Sequence, residues 1–270
     1  MARNDTTADP CELLHVAIDV AISAGRRILE IYERGYSVER KDDATPLTEA
    51  DMAAHAIIDD GFAEHTPDLP VLSEESAHIP FEQRATWQRY WLVDPLDGTR
   101  EFIKRNGEFT VNIALIDGHE AVLGVVYAPV LGVYYYACRG QGACKREGVS
   151  PPVPIHTRRR SIGPVTVAGS RSHRGDSLER FLANLGDYET VIMGSALKSC
   201  LVAEGKADVY ARLGPTSEWD TAAAQCIVEE AGGRITDTAM RPLRYNTKEE
   251  LLNPHFFAFG DPDVDWSQYL

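Results

Sequence analysis

Leu13, Leu14, Ala17, Ala21, Ala24, Ile28, Ile31 and Tyr32 recur at steps of three and four residues, which places them on one face of a long helix. Asp9-Pro10-Cys11-Glu12 precedes them with a capping aspartate, a proline at the first helical position and a glutamate three residues after the cap. The helix is therefore expected to start there and run to the turn near Gly35. The same spacing predicts a second helix from Thr48 to about His65. Short runs rich in β-branched and aromatic residues follow at 70–73, 90–93, 109–116, 121–127 and 133–138, the later ones separated by hairpin-like turns. This reads as two helices covering an antiparallel sheet. The stretch from Ala121 to Cys138 carries no charge over 18 residues, close to the length of a membrane span. Gly124, Pro129 and Gly132 interrupt it, and its Val/Tyr-rich halves fit two strands about a turn.

Between Gly148 and Pro164 the chain reads PPVPIH and then Arg158, Arg159 and Arg160, a proline-rich, charged stretch suited to a domain boundary. We divide the chain there into residues 1–150, an N-terminal α+β domain, and 151–270, a C-terminal domain. In the second part, strand-like runs at 165–168, 189–193, 207–211 and 233–236 alternate with helical segments at 178–185, 196–204 and 221–231. That alternation is the pattern of an α/β unit.

Composition narrows the function classes. Of 270 residues, 27 are Lys or Arg and 41 Asp or Glu, a formal charge of −14. No broad positive field is left to recruit nucleic acid or anionic lipid. An anionic substrate would need a local reversal of that field, which a bound cation can supply. The opening MARNDTTADPCELL lacks the basic-then-apolar pattern of a secretory signal, so an intracellular, cytoplasmic protein is expected. Cys11, Cys138, Cys144, Cys200 and Cys226 are odd in number and form no CxxC, so free thiols are expected.

Four acidic segments carry the candidate chemistry. In WLVDPLDGTREF, Trp91 to Phe102, an apolar strand ends at Asp94 and a tight turn through Pro95 and Gly98 returns a second carboxylate, Asp97. Such a turn aims two carboxylates and the Leu96 carbonyl at one point, an oxygen-only set suited to a hard cation. VLSEES places Glu74 and Glu75 directly after a short strand. SEWDTAAAQCIVEEAGG puts Asp220 in the first turn of an alanine-rich helix, and KDDATPLTEAD puts Asp51 three residues after Thr48 at the start of the second helix. Taken singly, these are also ordinary loop and capping residues. Together they are acids at strand ends and helix starts, and two carboxylates 4 Å apart repel by about 4 kcal/mol at an effective dielectric of 20. A crevice that gathers them must protonate them, splay them apart or bind cations.

In this order and spacing the four segments resemble the inositol monophosphatase-like superfamily of metal-dependent, lithium-sensitive phosphatases, over nearly the whole chain. WLVDPLDGTREF looks like its aspartate-rich strand-turn motif and EWDTAAAQCIVEEAGG like its Trp-Asp helix motif. The resemblance implies a layered αβαβα sandwich of the inositol monophosphatase/fructose-1,6-bisphosphatase type. It also implies that Glu74, Glu75, Asp94, the Leu96 carbonyl, Asp97 and Asp220 hold two or three Mg2+ ions, with Li+ inhibitory. Asp51 and Thr99, with Glu74, would form the catalytic group around an attacking water, and Gly98, Thr99 and Asp220 would face substrate. LDGT is also similar to the nucleophile loop of haloacid dehalogenase-like enzymes. That alignment puts Pro95 at the nucleophile's position, and proline cannot form an aspartyl-phosphate.

Gly194 to Ala224 and KDDATPLTEAD look like the 3′(2′),5′-bisphosphate nucleotidase branch, the CysQ type. By that resemblance His173, Ser195, Lys198 and Arg212 contact the nucleotide and its second phosphate. The substrate is expected to be adenosine 3′,5′-bisphosphate (PAP), with its sulfated analogue PAPS as a second, in sulfur assimilation. The alternatives are inositol or fructose phosphatase activity on the same scaffold and, against the complete acid set, a non-enzymatic regulator. A monomer or homodimer is expected. Peripheral association with the inner membrane face, suggested for some relatives, has neither a basic amphipathic helix nor a lipidation motif to support it here.

Overall fold

The computed structural model describes residues 9–34, 38–40, 46–160, 162–170 and 175–270. Asp9 accepts a hydrogen bond from the Cys11 N–H (3.0 Å), and Pro10 opens a 3-10 turn, Pro10–Leu13, that runs into α1, Leu14–Arg34. A short antiparallel pair, β1 (Val38–Arg40) and β2 (Pro46–Thr48), leads into α2, Glu49–His65. Next come β3 (Val71–Ser73), α3 (Phe81–Arg84), β4 (Arg89–Asp97), α4 (Thr99–Ile103), β5 (Thr110–Asp117), β6 (Glu120–Ala128), β7 (Val133–Cys138), β8 (Ala143–Glu147) and β9 (Val153–Ile155). Strands β3 to β9 form a seven-stranded sheet in sequence order, antiparallel except for the parallel β3–β4 pair.

The second sheet is built from β10 (Val165–Gly169), α5 (Asp176–Leu185), β11 (Tyr188–Ile192), α6 (Leu197–Ala203), β12 (Val209–Arg212), α7 (Ala222–Glu230), β13 (Arg234–Asp237) and β14 (Phe256–Phe259). Its order is β11-β10-β12-β14-β13. The β10 pairings are parallel and the β14 pairings antiparallel.

Side-chain alternation fixes the layers. Trp91, Val93, Ile113, Leu115 and Val125 point to the buried stripes of α1 and α2, which include Ala21, Ile28, Ile58 and Phe62. Their neighbours Tyr90, Leu92, Ala114 and Val126 point the other way, into a core shared with α6, α7 and one face of the second sheet. α7 lies so close to β6 that a Cβ at Gly124 would sit 2.2 Å from the Ala223 carbonyl oxygen. α5 covers the far face of the second sheet, where Phe181 packs with Val165, Val167 and Phe257. The succession is helices, sheet, helices, sheet, helix: the expected αβαβα sandwich.

Three local expectations are revised. β4 does not end at Asp94 in a tight turn: pairing with β5 resumes at Asp97–Thr110 after a register shift, so Pro95 occupies a bulge, where its missing N–H is tolerated. The proline-rich stretch after Gly148 contributes β9, an edge strand paired with β8, and the first sheet therefore continues to Ile155. Finally, the cysteines are not all free. Cys11 and Cys138 form a disulfide, their Cα atoms 5.5 Å apart across 127 residues of sequence. Packing of the N-terminal turn against the end of β7 brings them together, a proximity that spacing along the chain does not register. Cys144, Cys200 and Cys226 are free. Among the described residues no helix is long and apolar enough to cross a membrane, and the uncharged stretch 121–138 forms β6 and β7.

Candidate active site

Strand geometry delivers the acids. β3 pairs with β4 in the register Ser73–Val93, so Glu74, just past the end of β3, comes beside Asp94, still within β4. Across the bulge, Asp94 Oδ1 accepts the Leu96 N–H (3.0 Å), fixing the turn of chain that presents Asp97. Asp97 Oδ2 accepts the Ala196 N–H at 2.7 Å and lies within 3.3 Å of Asn112 Nδ2 and 3.4 Å of Thr110 Oγ1. Asp220 closes a one-turn 3-10 helix, Glu218–Asp220, in a capping box: its Oδ2 accepts the Ser217 N–H (2.8 Å). One carboxylate oxygen each from Asp94, Asp97 and Asp220 lie within 4.8 Å of one another.

Crowding and burial show in their protonation. Asp94 is pushed well above the usual carboxylate range, first by burial and then by Glu74, Asp97, Asp220 and Asp51. Burial also raises Asp97, although Lys198, Asn112 and the Ala196 N–H pull the other way. Asp220 rises to about 7, through burial and then Asp97. Three converging carboxylates held reluctant to ionise, with oxygen donors only, fit a hard divalent cation.

The cluster floors a crevice of about 340 Å³ that Glu74, Leu96, Gly98, Thr99, Ser195, Lys198 and Arg212 also line. Gly98 is in the left-handed region (φ +94) and caps α4, and a Cβ there would fall 2.2 Å from Ser195 Oγ, so only glycine fits. Ser195 Oγ lies 2.8 Å from both the Asp97 and Glu108 carbonyl oxygens, and the Lys198 ammonium donates to the Ser195 carbonyl at 2.7 Å. Lys198 is buried over the Tyr210 ring, and burial lowers its pKa to about 8. The Arg212 guanidinium donates to the Pro215 carbonyl (2.9 Å), while its Nε is buried with no hydrogen-bond partner among the described residues.

A profile of the Inositol monophosphatase family matches residues 9–258. The chain belongs to that family. It is 50% identical to the 3′(2′),5′-bisphosphate nucleotidase CysQ of Salmonella typhimurium over 246 residues, 90% of this chain and 98% of the relative. With CysQ of Escherichia coli K12 it shares 48% over the same proportions. The crystal structure of CysQ from Bacteroides thetaiotaomicron, described as a bacterial member of the inositol monophosphatase family, superposes with a TM-score of 0.80 at 41% identity, covering 92% of this chain and 97% of that one. Both the superfamily resemblance and the likeness to the bisphosphate nucleotidase branch are thus borne out.

Of the residues expected at the family's site, Glu74, Asp94, Leu96, Asp97, Gly98, Thr99, Ser195, Lys198, Arg212 and Asp220 share the crevice. Asp51 is buried in the first turn of α2 and acts on Asp94 through its charge, and Glu75 stands in the 3-10 turn Glu74–Ser76; neither lines the crevice. His173 lies outside the described residues. Of the two aromatics weighed as base-stacking candidates, Tyr210 lines the crevice, whereas Trp219 packs in the core between the sheets. Sequence reasoning missed Asn112, Thr110 and Ala196, which hold Asp97. The first two sit on the strand antiparallel to the Asp94 motif, a position that hairpin register alone could have indicated.

Proposed function

We propose that the protein is a magnesium-dependent 3′(2′),5′-bisphosphate nucleotidase that hydrolyses PAP to AMP and phosphate and accepts PAPS as a second substrate. The observation that carries this reading is the pairing, in one crevice, of a cation-type acid cluster with two side chains suited to a second phosphate. Glu74, Asp94, the Leu96 carbonyl, Asp97 and Asp220, with Glu75 beside them, would hold the ions. When bound, magnesium polarises phosphoryl oxygens and lowers the pKa of a coordinated water. Asp51 and Thr99 would orient and deprotonate the attacking water. Gly98 and Thr99 offer main-chain N–H groups to the phosphoryl oxygens at the start of α4.

Lys198 and Arg212 would take the phosphate that is not cleaved. The Lys198 ammonium has three donors and spends one on the Ser195 carbonyl, and the Arg212 Nε–H is a buried donor with no acceptor among the described residues. A more apolar cavity of about 770 Å³ adjoins the crevice through Arg100, Ser170, Tyr210 and Arg212, with Leu178, Leu182 and Leu213 in its walls. A nucleobase has use for such walls and a polyol does not, which favours the nucleotide over inositol or fructose phosphates.

The test is phosphate release from PAP, inositol 1-phosphate and fructose 1,6-bisphosphate side by side, with magnesium, with added lithium and with EDTA. A strong preference for PAP that EDTA abolishes and lithium reduces is the expected result. A preference for either sugar phosphate would remove the nucleotide assignment, and no release from any of them would remove the phosphatase assignment.

A further inference from the structure

Asp220 keeps its place through a strap that none of the crevice residues belongs to. The Glu218 N–H donates to the Leu251 carbonyl (2.8 Å), Ser217 bridges Leu252, and the Asn253 side-chain amide donates to the Ser217 carbonyl (2.6 Å). The strap is tied in turn at Asn246, whose N–H donates to Glu218 Oε2 (2.8 Å). Asn246 sits in the left-handed region (φ 55) and is buried, and its side chain exchanges hydrogen bonds with Arg84: the guanidinium donates to Oδ1, and Nδ2 donates to the Arg84 carbonyl (2.6 Å). The same guanidinium donates to the Lys248 carbonyl (3.0 Å) and to that of Glu249. Arg84 ends α3, the first helix after the Glu74–Ser76 turn.

Arg84 is 1% exposed, Glu218 1% and Asn246 2%. Burying a guanidinium, a carboxylate and an amide is costly unless each is bonded, and apolar packing would stabilise this core more simply. Their bonds run between the chain that follows Glu74 and the turn that carries Asp220. We propose that Arg84, Asn246 and Glu218 are positioning residues for the acidic site, holding the Asp220 carboxylate in register with the Asp94 side of the crevice. This rests on the reading of the site as a metal centre.

The test is magnesium binding by the full chain, followed by calorimetric titration and by the magnesium-induced rise in melting temperature. Asn246→Gly keeps the left-handed backbone and removes both side-chain bonds, and it is expected to weaken magnesium binding about 10-fold or more, the range typical of groups that orient metal ligands. Glu218→Ala should do the same. Glu218→Gln, whose amide oxygen still accepts the Asn246 N–H, should stay much closer to the unmodified chain, and KM for PAP at saturating magnesium should not move in any of them. Phe181→Leu, in the core beneath α5, controls for lost stability and should leave magnesium affinity unchanged. Should Asn246→Gly fail to fold, Arg84→Lys, which cannot bridge the same three acceptors, is measured in its place. Unchanged affinity in folded Asn246→Gly or Arg84→Lys, or an equal loss in Phe181→Leu, overturns the tie alone. Absence of magnesium binding by the unmodified chain overturns the metal reading with it.

Discussion

Burial sets the charge of Asp220 before any cation arrives. Its folded pKa of about 7 stands above the ordinary 3.8, so between these values the folded state holds a proton that the unfolded chain has released. Stability of the metal-free protein is therefore greatest below about pH 4 with respect to this group, and falls as pH rises towards 7. EDTA-treated protein should lose several degrees of melting temperature between about pH 5 and pH 8. Asp220→Asn should remove much of that loss, since its Oδ1 can still accept the Ser217 N–H while the amide faces Asp94 and Asp97; an unchanged slope in this variant would count against a raised Asp220. At Asp97 the expected cost is catalytic. Asp97→Asn should lower turnover about 100-fold with the fold intact, and retention of more than about a tenth of the activity contradicts its ligand role. Lys198→Ala removes a charge-assisted donor worth about 1.5–3 kcal/mol. It should raise KM for PAP about 10-fold or more and leave nucleoside monophosphates nearly unaffected, and comparing the two substrates tests the phosphate clamp.

Elements with a strong period were legible in the sequence. The stripe from Leu14 to Tyr32 and the apolar runs of β4 to β7 are dictated by which faces are covered, and the structure covers them as the pattern requires. The acidic motifs were legible too, because Asp94, Asp97 and Asp220 owe their position to local turns: a bulge and a capping box. What escaped were pairings with little local signature. β9 hides behind two prolines, β14 is an apolar run of four residues, and Asn246 meets Arg84 from 162 residues away. The Cys11–Cys138 bond belongs to the same class. It closes a loop of 127 residues, for which chain entropy alone gives a stabilisation of about 4–5 kcal/mol. Cys11→Ser should lower the melting temperature by several degrees and leave KM for PAP unchanged, since the bond joins the 3-10 turn before α1 to the end of β7 and neither cysteine lines the crevice. A Cys11→Ser protein that melts like the unmodified chain under oxidising conditions would show that the bond contributes nothing to stability.

At the scale of the molecule, each sheet has an outer core of its own, under α1 and α2 or under α5, but the core between the sheets is shared. α6 and α7 fill the space between them, and one apolar cluster runs from Tyr90, Leu92 and Val126 on the first sheet through Cys200 and Ile227 to Ala258 on the second. The acid cluster spans the same junction, with Asp94 and Asp97 flanking the bulge of β4 while Asp220 precedes α7. Ser195 and Ala196 bond back to the Asp97 turn, and Arg158 pairs with Asp208 across the connection between the sheets. Neither half can open without exposing the shared layer, so unfolding should be one cooperative transition, coincident by far-UV and near-UV circular dichroism, despite the boundary that composition suggests near residue 150. A cation that binds only when both halves are in place stabilises the whole, by about 2.7 kcal/mol at a hundredfold excess over its Kd. Magnesium should therefore move that single transition upward as a unit. Two separate transitions, with magnesium shifting only one of them, would assign the site to one half and dismantle the shared-core account.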